Sequence, residues 1–248
     1  GQSPTAELAW VEVPPDAIGK VSAKLVPSYE SPKVQPALQS TGVAAPKTSK
    51  KAFDYLNAVV YEDFTQTLPA DEPLTIAYLL DKATRGRNRI LIGSHLGEGG
   101  TLALQAALPK ANFPELDKQR KQWWAAYWAD VPQITLPDPV LQEITDYGLY
   151  KQACTHPPQG VAATLQGPFM EEYQLPPWSN DYHFNINVQM IYTPVLATNR
   201  LSHLEPMWAM MKSWLPQLQA NGEKFFGRPG ALMLPHAVDA RCRVVGTF

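Results

Sequence analysis

Pro176-Pro177-Trp178-Ser179-Asn180-Asp181-Tyr182-His183-Phe184-Asn185-Ile186-Asn187, followed by Val188-Gln189-Met190-Ile191-Tyr192, is the stretch from which the rest of this chain is best read. It crowds an aromatic, a histidine, a carboxylate and three amides into one short loop, then passes into an apolar, helix-like run. Loop residues held on a rigid scaffold are where binding and catalysis concentrate. Asn185 and Asn187 are two apart, and on extended backbone such residues point to the same side. Two amides facing one way can hold a water or a sugar hydroxyl, since each offers donors and an acceptor. The competing reading makes them turn or N-cap asparagines for the next helix. Spacing alone favours capping.

The surroundings are those of a soluble globular protein. The 248 residues suffice for one large domain or two small ones, with 45% apolar and 18% charged residues. Seven tryptophans and ten tyrosines serve cores first, but flat aromatic faces also suit sugar rings. A formal charge of −2 gives no electrostatic reason to expect nucleic acid or an anionic membrane as partner. The basic run at 47–51 is expected to be a solvated loop. No stretch approaches the roughly 20 consecutive apolar residues of a membrane span. Gly1-Gln2-Ser3-Pro4-Thr5 lacks the basic start and apolar core of a signal peptide, so either a leader has been removed or the chain begins in mid-protein. Cys154 and Cys242 fit no zinc pattern and could be a disulfide or two thiols.

In chain order, the first hundred residues read mainly as β. Residues 74–80 and 89–92 are strand-like, 8–13 and 21–26 suit edge strands or irregular structure, and 53–64 is ambiguous between strand and helix. Arg85-Gly86-Arg87-Asn88 is a turn signal. Gly97-Glu98-Gly99-Gly100 lacks the Lys-Ser/Thr of a P-loop and reads as a loop. Helices follow. Residues 114–130 place Leu116, Arg120, Trp123, Trp124, Tyr127 and Trp128 on one face, the pattern of a core stripe. Asp138 and Pro139 are a cap and first helical residue for a helix that Pro157-Pro158 stops. A further helix is expected over about 187–197. Ser202-His203-Leu204-Glu205 has the form of a capping box opening a helix that closes near Asn221-Gly222. The last residues, from 225, read as loop.

Motif chemistry is sparse: no GxSxG, HExxH or paired CxxC occurs. His236 and Asp239 could ligate a metal if helical, but two ligands are too few, and paired hydrogen bonding explains them equally well. A glycosidase needs two carboxyl groups, one to protonate the leaving oxygen and one to activate water or attack. Among Glu171, Glu172, Asp181, Glu205, Glu223 and Asp239, spacing selects no pair. Glu205 is accounted for by the capping box.

Thr164-Leu165-Gln166-Gly167-Pro168-Phe169, Pro176-Pro177-Trp178, Tyr182-His183-Phe184-Asn185-Ile186-Asn187, Gln189-Met190-Ile191-Tyr192-Thr193-Pro194 and His203-Leu204-Glu205-Pro206 occur in one order. Together they resemble the catalytic domain of glycoside hydrolase family 95, the inverting α-L-fucosidases and related α-galactoside-cleaving enzymes. Trp123-Trp124-Ala125-Ala126-Tyr127-Trp128 and Leu149-Tyr150 resemble the helices that introduce its (α/α)6 barrel. The pattern departs at His183-Phe184, Ile191 and Thr193, which bears on the sugar and not on the family.

The resemblance implies an α+β, multidomain fragment. Its expected parts are a β-rich sandwich remnant over 1–100, a helical linker over 101–137, and the first part of an (α/α)6 barrel over 138–248. It implies an oligosaccharide or glycan substrate, no metal or cofactor, and an extracellular or periplasmic setting. Asn185 and Asn187 would help a catalytic aspartate hold the attacking water. Trp178, His183, His236 and Asp239 are secondary candidates for sugar contact. The family's acid and base lie C-terminal to this segment, and the twelve helices of an (α/α)6 barrel, at about 11–12 residues each plus loops, exceed what remains. The chain is therefore expected to lack the general acid. Two alternatives stand beside this: a glycoside phosphorylase of related fold, and a non-catalytic carbohydrate-binding or structural protein.

Overall fold

The computed structural model describes residues 7–14, 17, 22–53, 59–69, 71–81, 88–168 and 176–245. The turn signal at Arg85-Gly86-Arg87, together with Phe169, Glu171 and Glu172, lies outside the described residues. The chain divides into two compact units, Gly1–Trp124 and Ala125–Phe248.

The first unit is built on strands β1 (Glu7–Val13), β2 (Lys47–Phe53), β3 (Val59–Leu68), β4 (Asp71–Asp81) and β5 (Asn88–Leu96), with a short helix α1 (Gln35–Ser40) before β2. They form one antiparallel sheet in the order β1-β5-β4-β3-β2. Alternation puts Tyr61, Leu79 and Leu91 in register on one face, all buried. Leu104 of helix α2 (Gly100–Ala107) and Leu108 just beyond it pack into the same core and are themselves buried. The Tyr61 hydroxyl donates to Asp63 at 2.7 Å, which pairs a carboxylate the sheet would otherwise bury alone.

The basic run is not a loop. Residues 47–51 lie in β2, which among the described strands pairs only with β3 at the edge of the sheet, and the Lys50 ammonium bonds Glu62 across the pair. Lysines on an outer strand discourage further strands from adding to the sheet. A strand without an apolar face has no alternation to betray it. The ambiguous region resolves as the end of β2 and the start of β3, with 54–58 outside the described residues. Residues 22–27 belong to no strand.

Helices follow as expected for an α+β chain: α3 (Phe113–Asp130), α4 (Pro139–Thr155), α5 (Asn187–Ala197), α6 (Glu205–Ser213) and α7 (Leu215–Phe226). Asp138 caps α4, its carboxylate accepting from the Val140 and Leu141 N–H groups at 2.8 and 3.3 Å. Two-residue strands β6 (Tyr182–His183) and β7 (Ala237–Val238) form a short antiparallel pair. The core of the second unit gathers Val188, Tyr192 and Val195 from one face of α5 with Tyr182, Trp214, Leu218, Val238 and Cys242. Trp214 edges against both Tyr182 and Phe184, and its ring N–H donates to the Ala240 carbonyl at 3.0 Å. Cys154 and Cys242 are free thiols. No described helix is long and apolar enough to cross a membrane.

Two expectations in this unit are corrected. Ser202 and Glu205 form no capping box: Ser202 lies in the 3-10 turn Leu201–Leu204, and the cap of α6 is Leu204 with no side-chain bond. Pro206, in the first turn, sets the start instead through its fixed φ. Glu205 still sits favourably at the positive end of the helix. The helix also does not end at Asn221-Gly222. It breaks at Trp214, where Pro216 starts α7, and α7 runs to Phe226 before Gly227 turns left-handed at φ 61°.

Gly222 is there for close approach, because a Cβ would stand 2.2 Å from the Ala231 carbonyl oxygen. Backbone cannot yield as a side-chain tip can. Gly222→Ala is expected to lose about 1–3 kcal/mol despite alanine's better helix propensity. A urea midpoint at or above wild type would contradict that packing.

Candidate active site

The loop before β6 is held in an uncommon backbone shape. Trp178, Ser179 and Asn180 are all left-handed, with φ of 50°, 57° and 52°. Each such residue costs roughly 1 kcal/mol or more and persists only where surrounding bonds over-determine it. Those bonds are present. Asn180 clamps the preceding loop, its side-chain oxygen accepting from the Gln166 N–H at 2.7 Å and its amide donating to the Gly167 carbonyl at 3.2 Å. The Leu165 N–H adds a bond to the Asp181 carbonyl at 2.9 Å. The outcome is a large indole, Trp178, left 63% exposed on a fixed turn.

A chain of polar groups, two of them buried, follows it in sequence. Asp181 and His183 are buried, and His183 Nδ1 lies 3.1 Å from the Asp181 carboxylate. On its other side, His183 Nε2 is 2.8 Å from His236 Nε2, with the two rings edge to face. One arrangement satisfies all three: His183 donates from Nδ1 to Asp181, and His236 donates from Nε2 to His183. Backbone pairing brings the two rings together, since His183 pairs with Ala237 and the Phe184 N–H donates to the His236 carbonyl at 2.7 Å.

Asn185 and Asn187 follow immediately. Residues 184–186 form a turn, not extended strand, so alternation does not set their direction. Asn185 is exposed, and Asn187, half-buried, is the first residue of α5. Neither caps the helix, because Ile186 holds the cap position and makes no side-chain bond. Among the described residues neither amide has a hydrogen-bond partner.

The other sequence candidates fall as follows. His236 is exposed at the end of the histidine pair. Asp239 is not on a helix with it. The Asp239 carboxylate is engaged within its own turn, accepting from the N–H groups of Arg241 and Arg243 at 2.9 Å each and from Arg243 Nε at 2.5 Å. Partial burial would raise this carboxyl, but those donors together hold it below its usual value. No cluster of three or more metal-ligating side chains occurs among the described residues.

Carboxylate spacing does not single out Asp181, whose partner is a histidine: Asp181 and His183 are two apart on extended backbone, which brings their side chains to one side. His203 proves to be interior. Its Nδ1 lies 3.0 Å from the His156 carbonyl, its Nε2 lies 3.4 Å from Arg200, and Arg200 stacks 4.1 Å over the Tyr127 ring. Burial, then the Arg200 charge, lowers the His203 imidazole from its ordinary value.

A family model described as the glycosyl hydrolase family 95 catalytic domain matches residues 113–240. A curated protein, the probable alpha-fucosidase A of Aspergillus niger, is 36% identical over 92 residues. That stretch is 36% of this chain and spans only 12% of the relative's length. No solved structure matches.

Proposed function

The chain belongs to glycosyl hydrolase family 95, and on that premise we propose that it supplies the water-holding side of a glycosidase active site. The substrate would be an oligosaccharide or glycan bearing an α-linked L-fucose or a related galactose. On this reading the five-stranded sheet is part of a β-sandwich over 1–100, residues 101–137 are a linker, and the helices over 138–248 begin an (α/α)6 barrel.

The observation that carries the proposal is the unpaired state of Asn185 and Asn187 beside the Asp181–His183–His236 chain. Asparagines that neither cap a helix nor brace a loop have their donors and acceptors available. Inverting hydrolysis needs a water fixed on the face of the sugar opposite the leaving group, a carboxylate to take its proton, and a carboxylic acid for the leaving oxygen. An amide cannot take that proton. It can orient the water, accepting one of its hydrogens and donating to its oxygen, so that it is positioned before the barrier is climbed. Asn185 and Asn187 take that role. Trp178 offers an exposed ring against the apolar side of the sugar, and His236, held through His183 by Asp181, contacts a hydroxyl. Asp239 braces its own turn. The acid and base are not assigned to Asp181, Asp239 or Glu205.

Aryl α-L-fucosides and α-galactosides supplied to the full-length protein test this. Release of the free sugar without any need for phosphate is expected. Turnover that requires phosphate would make the protein a phosphorylase, and saturable binding without turnover would make it a binding protein.

A further inference from the structure

We propose that a cavity of about 430 Å³ between α4, the loop at 164–167 and α5 binds a neutral, hydroxyl-bearing ring the size of a monosaccharide, separately from the asparagine pair. Two independent features point to a ligand.

The first is Gly148, in the middle of α4 and lining the cavity. A helix-interior glycine costs about 0.5–1 kcal/mol relative to alanine. Here no neighbour requires it, because a Cβ at this position would meet nothing within 4 Å. What the missing side chain provides is open space.

The second is a pair of orphaned side chains, Gln152 one turn further along the same helix and His156 at its C-cap. Gln152 and His156 also line the cavity and are 6% and 2% exposed. Among the described residues, both polar atoms of the Gln152 amide and both nitrogens of the His156 ring have no hydrogen-bond partner. Leaving such groups unpaired costs about 1–3 kcal/mol each, an arrangement that native interiors avoid. A rotamer change of Gln152 breaks no existing bond, so the amide is able to turn toward an incoming group.

Their chemistry selects the ligand class. Burial, with His203 nearby, pushes the His156 imidazole down to about 4, so it is uncharged at neutral pH and presents one donor and one acceptor. A carboxamide presents both as well. Hydroxyl groups, which donate and accept at once, complement this set. Among the described residues no carboxylate lines the cavity, and the ammonium of Lys151, the one charged group among the described lining residues, lies 5.4 Å over the Tyr147 ring. Ile144, Leu165, Ile191 and Pro194 give apolar walls for the C–H face of a ring. The volume lies within the range of small-molecule sites.

The test titrates L-fucose, D-galactose and myo-inositol into the full chain, followed by saturation-transfer NMR. At least one is expected to bind with a Kd of about 1 mM or tighter. Gly148→Leu, which fills the cavity from a position with room for the side chain, should abolish that binding and raise the thermal midpoint. Gln152→Leu should weaken it about tenfold or more while also stabilising the free protein, since an orphaned amide is removed. Asn187→Ala should leave it unchanged. No saturable binding by any of the compounds would mean the cavity holds water only and would overturn the proposal. So would equal binding in wild type and Gly148→Leu, or binding lost in Asn187→Ala and kept in Gly148→Leu, which would place the sugar at the asparagines.

Discussion

Alanine at Asn185 or at Asn187 is expected to lower kcat/KM of the full-length protein on aryl α-L-fucosides by about 10²–10³-fold, the usual consequence of removing one pre-aimed polar group from a reacting centre. That is roughly 3–4 kcal/mol of transition-state stabilisation. The loss should appear in kcat more than in KM, since the amides act on the attacking water and not on the bound sugar. Stability should move by no more than about 0.5 kcal/mol, because neither amide is bonded to the rest of the described chain and Asn185 is exposed. This separation makes the substitution informative: an asparagine acting as a helix cap would instead cost about 1 kcal/mol of folding energy and little rate. Steady-state kinetics and urea unfolding on the same two variants read both quantities. Near-wild-type turnover in both would remove the water-holding role.

Acid should destabilise the second unit through His156. The ring is 2% exposed, has no side-chain hydrogen bond, and burial pushes it from its ordinary 6.5 to about 4. Between those values the unfolded chain holds a proton that the folded chain does not. Stability therefore is fully present above about pH 6.5 and falls as pH drops toward about 4, by roughly 2–3 kcal/mol from this one group. His203 is lowered in the same direction by burial and the Arg200 charge, and adds to the slope. His156→Leu removes the first contribution and should flatten the dependence by that amount, while costing little at pH 7 because no hydrogen bond is broken. Urea midpoints of wild type and variant at pH 7 and pH 4.5, followed by far-ultraviolet circular dichroism, check it. Parallel pH profiles would show that His156 is protonated as readily inside the fold as outside it.

Local rules made much of the helical unit legible. Asp138 with Pro139 marked the start of α4, and the apolar spacing after Asn187 marked α5, whose described limits are Asn187–Ala197. The same rules failed where a tertiary contact overrode them. Asn221-Gly222 has the composition of a helix stop, yet Gly222 lies inside α7 because the Ala231 backbone needs its place. Ser202 and Glu205 have capping-box spacing, yet Pro206 fixes the helix start. The polar edge strand β2 was invisible because an edge has no buried face to impose alternation.

The candidate site divides along the same line. Asp181 and His183, two apart, were within reach of local reasoning. The 2.8 Å contact of His183 with His236 joins residues 53 apart in sequence and depends on the β6–β7 pairing. Three successive left-handed residues at Trp178–Asn180 are equally hidden, since none is a glycine and the clamp that holds them comes from the loop at 164–167.

The proposed role of Asn185 and Asn187 requires water to attack from the face opposite the departing group. Proton NMR of the first sugar released from an α-L-fucoside by the full-length protein, recorded before the anomers equilibrate, reads that directly. The β-anomer appearing first is the predicted result, and the α-anomer appearing first would contradict it, because retention puts a carboxylate nucleophile where the amides are proposed to hold water, and water then enters only to hydrolyse the glycosyl-enzyme.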